Sequence, residues 1–163
     1  MKKHSQQAKQ PTQAEIQTLL KFFQAGQLPE AEVLAKALLK NYPNVAIIHN
    51  VLGSALASQG RFAEAVDSFK KLVAIDPKSA ELHFNLALMQ ANSGQLEDAV
   101  VNYRKATTLM SKFVDAYYNL GAAQQALGKH GEAAVSYRKA IEIQPGFFEA
   151  HGNLGAVLQA QGL

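Results

Sequence analysis

The sequence contains no cysteine and no long apolar segment. Without cysteine, disulfide bonds, thiolate metal sites and cysteine nucleophiles are excluded. No run of about 18 apolar residues occurs, so the sequence predicts no membrane-spanning helix. The first residues, MKKHSQQAKQPTQ, carry lysines with no apolar core behind them, which is unlike a secretory signal. We therefore expect a cytoplasmic protein without a membrane partner.

The net charge of +3 belongs to one end of the chain. Lys2, Lys3 and Lys9 lie in the first eleven residues, and the rest of the chain carries 13 basic and 13 acidic residues. Residues 1–11 are therefore predicted to be a disordered basic tail. The remaining body is neutral and lacks the concentrated basic surface that phosphate neutralisation requires, so we expect no nucleic-acid partner.

Motifs for catalysis and cofactor binding are also missing. The sequence has no Gly-rich phosphate loop, nucleophile elbow or metal-binding motif, so we expect no enzyme activity, no cofactor and no metal. His49, His83 and His151 recur at one spacing, but packed helices lie about 8–10 Å apart, whereas zinc requires each nitrogen within about 2.1 Å. We also expect the first helices of successive units not to be adjacent. These histidines are interpreted as packing residues.

Three sets of residues recur at a spacing of about 34, which indicates an array of one repeated unit. They are Gly26, Gly60, Gly94, Gly128 and Gly162; Ala31, Ala65, Ala99 and Ala133; and Pro43, Pro77 and Pro145. The predicted units span 12–45, 46–79, 80–113, 114–147 and a partial 148–163, each full unit with two helices. The glycine is expected to close the first helix in a left-handed conformation. Ser111 replaces a proline, so the second helix of the third unit is expected to end less sharply.

Details within the units support this division. Thr12 and Glu15 have the spacing of a capping box at the start of the first helix. In the fourth unit, Leu120 and Gly121 place a large side chain beside a gap, which allows a neighbouring helix to approach closely.

The fourth unit resembles the tetratricopeptide repeat (TPR) family in its Tyr117, Leu120, Gly121, Gly128, Ala133, Tyr137, Ala140 and Pro145. The resemblance covers the chain from about residue 12 to its end. It implies an all-α fold, a right-handed α-solenoid (superhelix) of antiparallel helix pairs. It also implies that the first helices line a concave groove that binds proteins or peptides.

Asparagines recur on the predicted first helices at Asn85, Asn119 and Asn153, and Asn50 lies one residue before the equivalent position. An amide offers both a donor and an acceptor, so a row of amides can pair with an extended peptide backbone. The row is similar to the asparagine ladder in the repeat superhelix of O-linked N-acetylglucosamine transferases. The alternative is that asparagine is common here in the family and bonds locally. The other groove residues predicted on this face are Glu81, Phe84, Leu88, Asp115, Tyr118, Ala122 and Glu149.

The acids Glu81, Asp115 and Glu149 would repel an acidic chaperone tail, so a neutral or basic segment is the expected partner. The principal hypothesis is a protein–protein interaction scaffold that binds an extended peptide or a helix. The alternative is the N-terminal, substrate-presenting arm of a larger enzyme such as a glycosyltransferase or sulfotransferase. Leu154, Val157 and Leu158 are expected to be exposed on the last helix, which predicts concentration-dependent self-association or a loosely ordered last helix.

Overall fold

The computed structural model describes residues 10–162, and all regular secondary structure in them is α-helical. The helices are α1 (Gln13–Gln24), α2 (Leu28–Asn41), α3 (Ala46–Ser58), α4 (Phe62–Ile75), α5 (Ala80–Asn92), α6 (Leu96–Leu109), α7 (Val114–Ala126), α8 (His130–Ile143) and α9 (Phe148–Ala160). The predicted all-α class is therefore confirmed. Residues 1–9 of the predicted basic tail lie outside the described residues, and Gln10 and Pro11 lie in no helix.

The helices form two compact units, each larger than a single repeat. The first unit, with α1 to α4, ends at Ile75, and the second unit, with α5 to α9, begins at Asp76. In the first unit, α1 packs on α2, α2 on α3 and α3 on α4, and α1 also contacts α3. In the second unit, each helix from α5 to α8 packs on the next, and α5 contacts α7 as α7 contacts α9. Each unit is thus a run of helix pairs, as expected for an α-solenoid. Within each unit, the expectation that first helices of successive repeats are not adjacent was wrong, because α3, α7 and α9 each contact both helices of the preceding pair.

The turn glycines take the predicted left-handed conformation. Gly128 has φ 73°, and Gly26, Gly60, Gly94 and Gly162 have φ between 72° and 82°. After α7, the Gly128 N–H donates to the Gln125 carbonyl and the Lys129 N–H donates to the Gln124 carbonyl, both at 2.9 Å. These two bonds form a Schellman motif, which satisfies carbonyls that the end of the helix leaves free. The turn therefore reverses the chain within three residues.

The predicted capping box at the start of α1 is also confirmed. The Glu15 N–H donates to Thr12 Oγ1 at 3.2 Å, and the Thr12 N–H donates to the Glu15 carboxylate at 2.7 Å. By contrast, the expected effect of Ser111 was wrong. Helix α6 ends at Leu109, the position equivalent to Ile143 at the end of α8. The next helix packs in the same way, so the end of α6 does not depend on a proline.

The gap beside the Leu-Gly pair is filled by an aromatic ring of the same repeat. A Cβ atom at Gly121 would lie 2.8 Å from Tyr137 Cε1, and one at Gly53 would lie 2.9 Å from Phe69 Cε2. Tyr137 is fully buried there, and burial raises the pKa of its hydroxyl to about 12. The predicted close approach is confirmed, since a side chain at either glycine would force the neighbouring ring to shift.

The residues exposed on α9 are not the ones that were predicted. Val157 is fully buried, and Leu154 and Leu158 are half-buried in a cluster with Tyr137 and Ala140. The expectation that these three residues are exposed was wrong, because α8 packs against that side of α9. The exposed side instead carries Phe148, Gly152, Gly155 and Gln159.

Candidate interaction surface

The predicted groove residues of the second unit lie on α5, α7 and α9, and we call them the first-helix surface. Its acids, Glu81, Asp115 and Glu149, are exposed near the beginnings of the three helices. Its other members are half-buried: Phe84, Asn85, Leu88, Tyr118, Asn119, Ala122 and Asn153. Asn50 is exposed on α3 in the first unit, where it accepts a hydrogen bond from the Ser54 hydroxyl at 3.3 Å.

The aromatic members of this surface pack against the beginning of the following first helix. Phe84 lies 4.9 Å from Phe113, and Tyr118 lies 4.9 Å from Phe147, measured between ring centroids. Phe113 and Phe147 are the residues that immediately precede α7 and α9. Such tilted ring pairs are typical of stable aromatic contacts. Phe84 and Tyr118 therefore fix the position of the next helix as well as contributing to the surface.

The three asparagines of the ladder have three different environments. Asn119 Nδ2 donates to the carbonyl of Asp115 in its own helix at 2.8 Å. Asn153 Nδ2 donates to the Tyr118 hydroxyl at 3.1 Å. The Asn85 amide has no hydrogen-bond partner within residues 10–162. Local bonding thus occurs at Asn119, while the Asn85 amide is left for a ligand or for water.

The histidines join each first helix to the loop before it. Nε2 of His49, His83 and His151 lies 2.8, 3.2 and 2.9 Å from the carbonyl oxygen of the proline six residues earlier. A carbonyl only accepts, so Nε2 carries the proton. The fourth repeat has Tyr117 in place of the histidine and uses Ser111, from the preceding loop, in place of the proline, so both partners change together. Sequence reasoning missed this bond, although the constant spacing of six residues was its signal.

No group of three or more potential metal-binding side chains occurs in residues 10–162. No described helix combines the length and apolar character that a membrane crossing requires.

A polar network that the sequence did not reveal joins α6, α7 and α8. Gln124 is buried, accepts from the Ser136 hydroxyl at 2.6 Å and donates to Glu132 at 3.1 Å. Arg104 reaches the same carboxylate from α6. The network forms one side of a cavity of about 300 Å³ whose other walls include Tyr117, Leu120 and Val135. Gln124 therefore serves packing and polar satisfaction together.

The first unit contains a second network, centred on Glu32 of α2. Its carboxylate accepts from Lys36 at 2.6 Å and from Arg61 at 2.5 Å. Arg61 also binds both carboxylate oxygens of Glu64 at 2.6 Å. These hydrogen bonds, that of Arg61 first, lower the pKa of Glu32 to about 2. The network joins α2 to the turn before α4, and it has no counterpart on the first-helix surface.

Comparison with family models matches most of the chain to TPR units. Models described as tetratricopeptide repeat match residues 20–80, 68–101 and 114–147, and one described as TPR repeat matches residues 91–128. A comparison with curated proteins gave no match.

Several solved structures have a similar fold. A crystal structure of MamA is 31% identical, with 88% of this chain and 84% of that chain covered and a TM-score of 0.82. A second MamA crystal structure is 29% identical, covers 92% and 82% of the two chains, and has a TM-score of 0.87. The first TPR domain of Spaghetti (RPAP3), bound to the HSP90 peptide SRMEEVD, is 30% identical over 72% of this chain and 94% of that chain, with a TM-score of 0.68.

These matches agree with the periodic turns, the close approach at Gly121 and the paired helices of each full repeat. The chain belongs to the tetratricopeptide repeat family and is a protein-interaction scaffold of that kind.

Proposed function

We propose that the first-helix surface of the second unit binds an extended, neutral or basic polypeptide segment, and that the chain itself carries out no catalysis. The observation that carries this proposal is the combination of exposed carboxylates at Glu81, Asp115 and Glu149 with amides of the same helices. Carboxylates attract cationic side chains, and amides pair with a peptide backbone whatever its sequence.

The asparagines contribute unequally in this proposal. Asn85 offers both its donor and its acceptor, whereas Asn119 uses Nδ2 within its own helix and offers the carbonyl oxygen. Asn153 uses Nδ2 on Tyr118, so its main role is to hold that ring in place. We therefore expect the backbone contacts of the ligand to be made chiefly at Asn85 and Asn119.

The proposed ligand differs in charge from the peptide bound in a similar solved structure. The RPAP3 domain is bound to the peptide SRMEEVD, which carries three acidic side chains. On the present surface the three exposed acids would face such a peptide, and none of the predicted groove residues is basic. Like charges across an interface oppose binding. An acidic peptide is therefore expected to bind less well than a basic one.

A direct test uses two labelled peptides, SRMEEVD and the charge-reversed SRMKKVK, with affinities measured by fluorescence anisotropy. We expect the basic peptide to bind more tightly, and the double variant Asn85→Ala/Asn119→Ala to weaken it about tenfold through lost hydrogen bonds. The matched control is Asn44→Ala, in an exposed loop of the first unit. Tighter binding of SRMEEVD, or an unchanged affinity of the double variant, would contradict the proposal.

A further inference from the structure

The first helices of the second unit carry acidic residues and no lysine or arginine. Each of α5, α7 and α9 has one acid in its first turn, namely Glu81, Asp115 and Glu149. Within residues 76–162, the ion pairs join Arg104 to Glu132 and Lys139 to Glu142, all on second helices, so the three first-helix carboxylates are unpaired. The equivalent residue of α3 is Ile47. The first-helix surface therefore presents a row of three negative charges, one in each repeat.

The spacing of this row follows from the packing of the first helices. Helix α5 contacts α7, and α7 contacts α9. Their side chains also meet on the surface itself, because Asn153 Nδ2 donates to the Tyr118 hydroxyl at 3.1 Å. Helices in contact lie about 8–10 Å apart. A ligand that crosses the three helices therefore meets a carboxylate at each step of about 10 Å.

A polyproline II helix matches this step and keeps its backbone groups available. It has three residues per turn and rises about 3.1 Å per residue, so every third side chain returns to the same face after about 9.3 Å. In a β-strand, the side chains of one face recur every two residues, after about 6.8 Å. An α-helix repeats on one face after about seven residues and 10.5 Å, but its N–H and C=O groups are already bonded to one another. It is therefore unable to pair with the amides of Asn85 and Asn119.

Aromatic rings recur on the surface at the same period as the acids. Phe84 and Tyr118 are equivalent residues, both half-buried, and each ring packs on the aromatic residue that precedes the next first helix. Each also lies three residues after the acid of its own helix, so acid and ring share a face. Grooves lined with aromatic rings bind proline-rich segments in the polyproline II conformation. Carboxylate and ring thus form one subsite, present in both the third and the fourth repeat.

We propose that the ligand of the first-helix surface is a polyproline II segment with a basic residue at every third position. Its cations pair with the three carboxylates, and the prolines between them pack on Phe84 and Tyr118. Its backbone, which has no internal hydrogen bonds, pairs with the amides of Asn85 and Asn119. This inference rests on the proposed function and adds to it the conformation of the ligand and the spacing of its charges.

The test compares labelled peptides of one composition and charge that differ in the spacing of their lysines. They are KPQKPQKPQ, with lysine at every third position, KPKPKQPQQ, at every second, and KQPQKPQPK, at every fourth. Their affinities for the whole chain are measured by fluorescence anisotropy at low ionic strength. We expect the first peptide to bind about fivefold more tightly than the other two, because these align fewer ion pairs and each exposed pair is weak.

A further peptide, KGQKGQKGQ, separates conformation from charge. It keeps the spacing of the lysines but loses the prolines that order the free peptide. We expect it to bind about tenfold more weakly than KPQKPQKPQ, because it must be ordered on binding.

A double-mutant cycle locates the central cation of the ligand. Asp115→Asn removes the middle carboxylate, and the peptide KPQQPQKPQ lacks the middle lysine. Each change alone is expected to weaken binding about threefold, and both together no more than either alone, because they remove the same ion pair. The matched control is Glu97→Gln, which removes an exposed carboxylate from the first turn of α6, outside the surface. Its effect is expected to be small and additive with that of the peptide change.

The outcomes distinguish this inference from the proposed function. Equal affinities of the three lysine peptides, with SRMKKVK still bound more tightly than SRMEEVD, would overturn the spacing and leave the proposed function intact. Additive losses with Asp115→Asn would overturn the pairing of the central lysine, and binding of KGQKGQKGQ as tight as that of KPQKPQKPQ would overturn the conformation. If SRMEEVD binds as tightly as SRMKKVK, or if no peptide binds, the proposed function itself fails and this inference fails with it.

Discussion

At the scale of single residues, two glycines at equivalent positions have opposite surroundings. A Cβ atom at Gly121 would lie 2.8 Å from the Tyr137 ring, whereas one at Gly155 would meet nothing within 4 Å. We expect Gly121→Ala to lower the free energy of unfolding by about 1–3 kcal/mol, because the ring must move. Gly155→Ala is expected to raise it by about 0.5–1 kcal/mol through helix propensity. Urea unfolding of both variants measures the difference, and equal stabilities would contradict the packing described.

Glu32 gives a prediction that depends on pH. Its folded pKa of about 2 lies below the ordinary value of 4.5, so its contribution to stability is present above pH 4.5 and is lost as the pH falls towards 2. At neutral pH, Glu32→Gln is expected to reduce the free energy of unfolding by about 1–2 kcal/mol. The difference from the wild type should shrink as the pH falls through this range. Glu30→Gln, exposed on the same helix, is the control and should show little change.

At the scale of helices and turns, Ser111 is a position where proline is compatible with the backbone. Met110 before it has φ −130° and ψ 96°, close to the φ −131° and ψ 89° of Gln144 before Pro145. We therefore expect Ser111→Pro to raise the free energy of unfolding by about 0.4–1 kcal/mol by restricting the unfolded chain. Thermal melting followed by circular dichroism measures this change, with Ser111→Ala as the control. A lower melting temperature for Ser111→Pro than for Ser111→Ala would show that the turn requires the serine.

The helices and turns were predictable because their signals are local. The turn glycines and the capping box at Thr12 each act within a few residues of their own position. The hydrogen bonds of the asparagines were not predictable in the same way, because they depend on the neighbouring repeat. Asn153 bonds to the hydroxyl of Tyr118, whereas the equivalent neighbour of Asn119 is Phe84, which has no hydroxyl. Asn119 therefore bonds to its own helix.

The hydrogen bonds between the histidines and the proline carbonyls were also not predictable from the sequence. Their spacing was visible in the sequence, but the bond between Nε2 and the carbonyl exists only once the loop folds back on the helix. The buried contact of Gln124 with Ser136 and Glu132 likewise joins different helices. Sequence patterns therefore identified the repeats, while the networks between helices required the structure.

At the scale of the whole molecule, peptide binding to the first-helix surface should depend on the salt concentration. Binding of the basic peptide SRMKKVK relies on exposed carboxylates, and raising the ionic strength from 0.1 to 1 M shortens the Debye length from about 10 Å to about 3 Å. We expect its affinity to fall markedly over this range. Titrations of the peptide at the two salt concentrations measure this, and an unchanged affinity would contradict binding through the exposed carboxylates.

The burial of Tyr137 gives the protein an optical reporter of its own folding. Its pKa of about 12, raised from 10.0 by burial, means that the neutral hydroxyl is favoured by the folded state and that this stabilisation is lost as the pH rises from 10 to 12. Burial raises the pKa of Tyr103 as well. Because the chain has five tyrosines and no tryptophan, ionisation of these rings changes an otherwise simple near-ultraviolet spectrum. Alkaline titration followed by absorbance therefore reports, without any label, when the third and fourth repeats open.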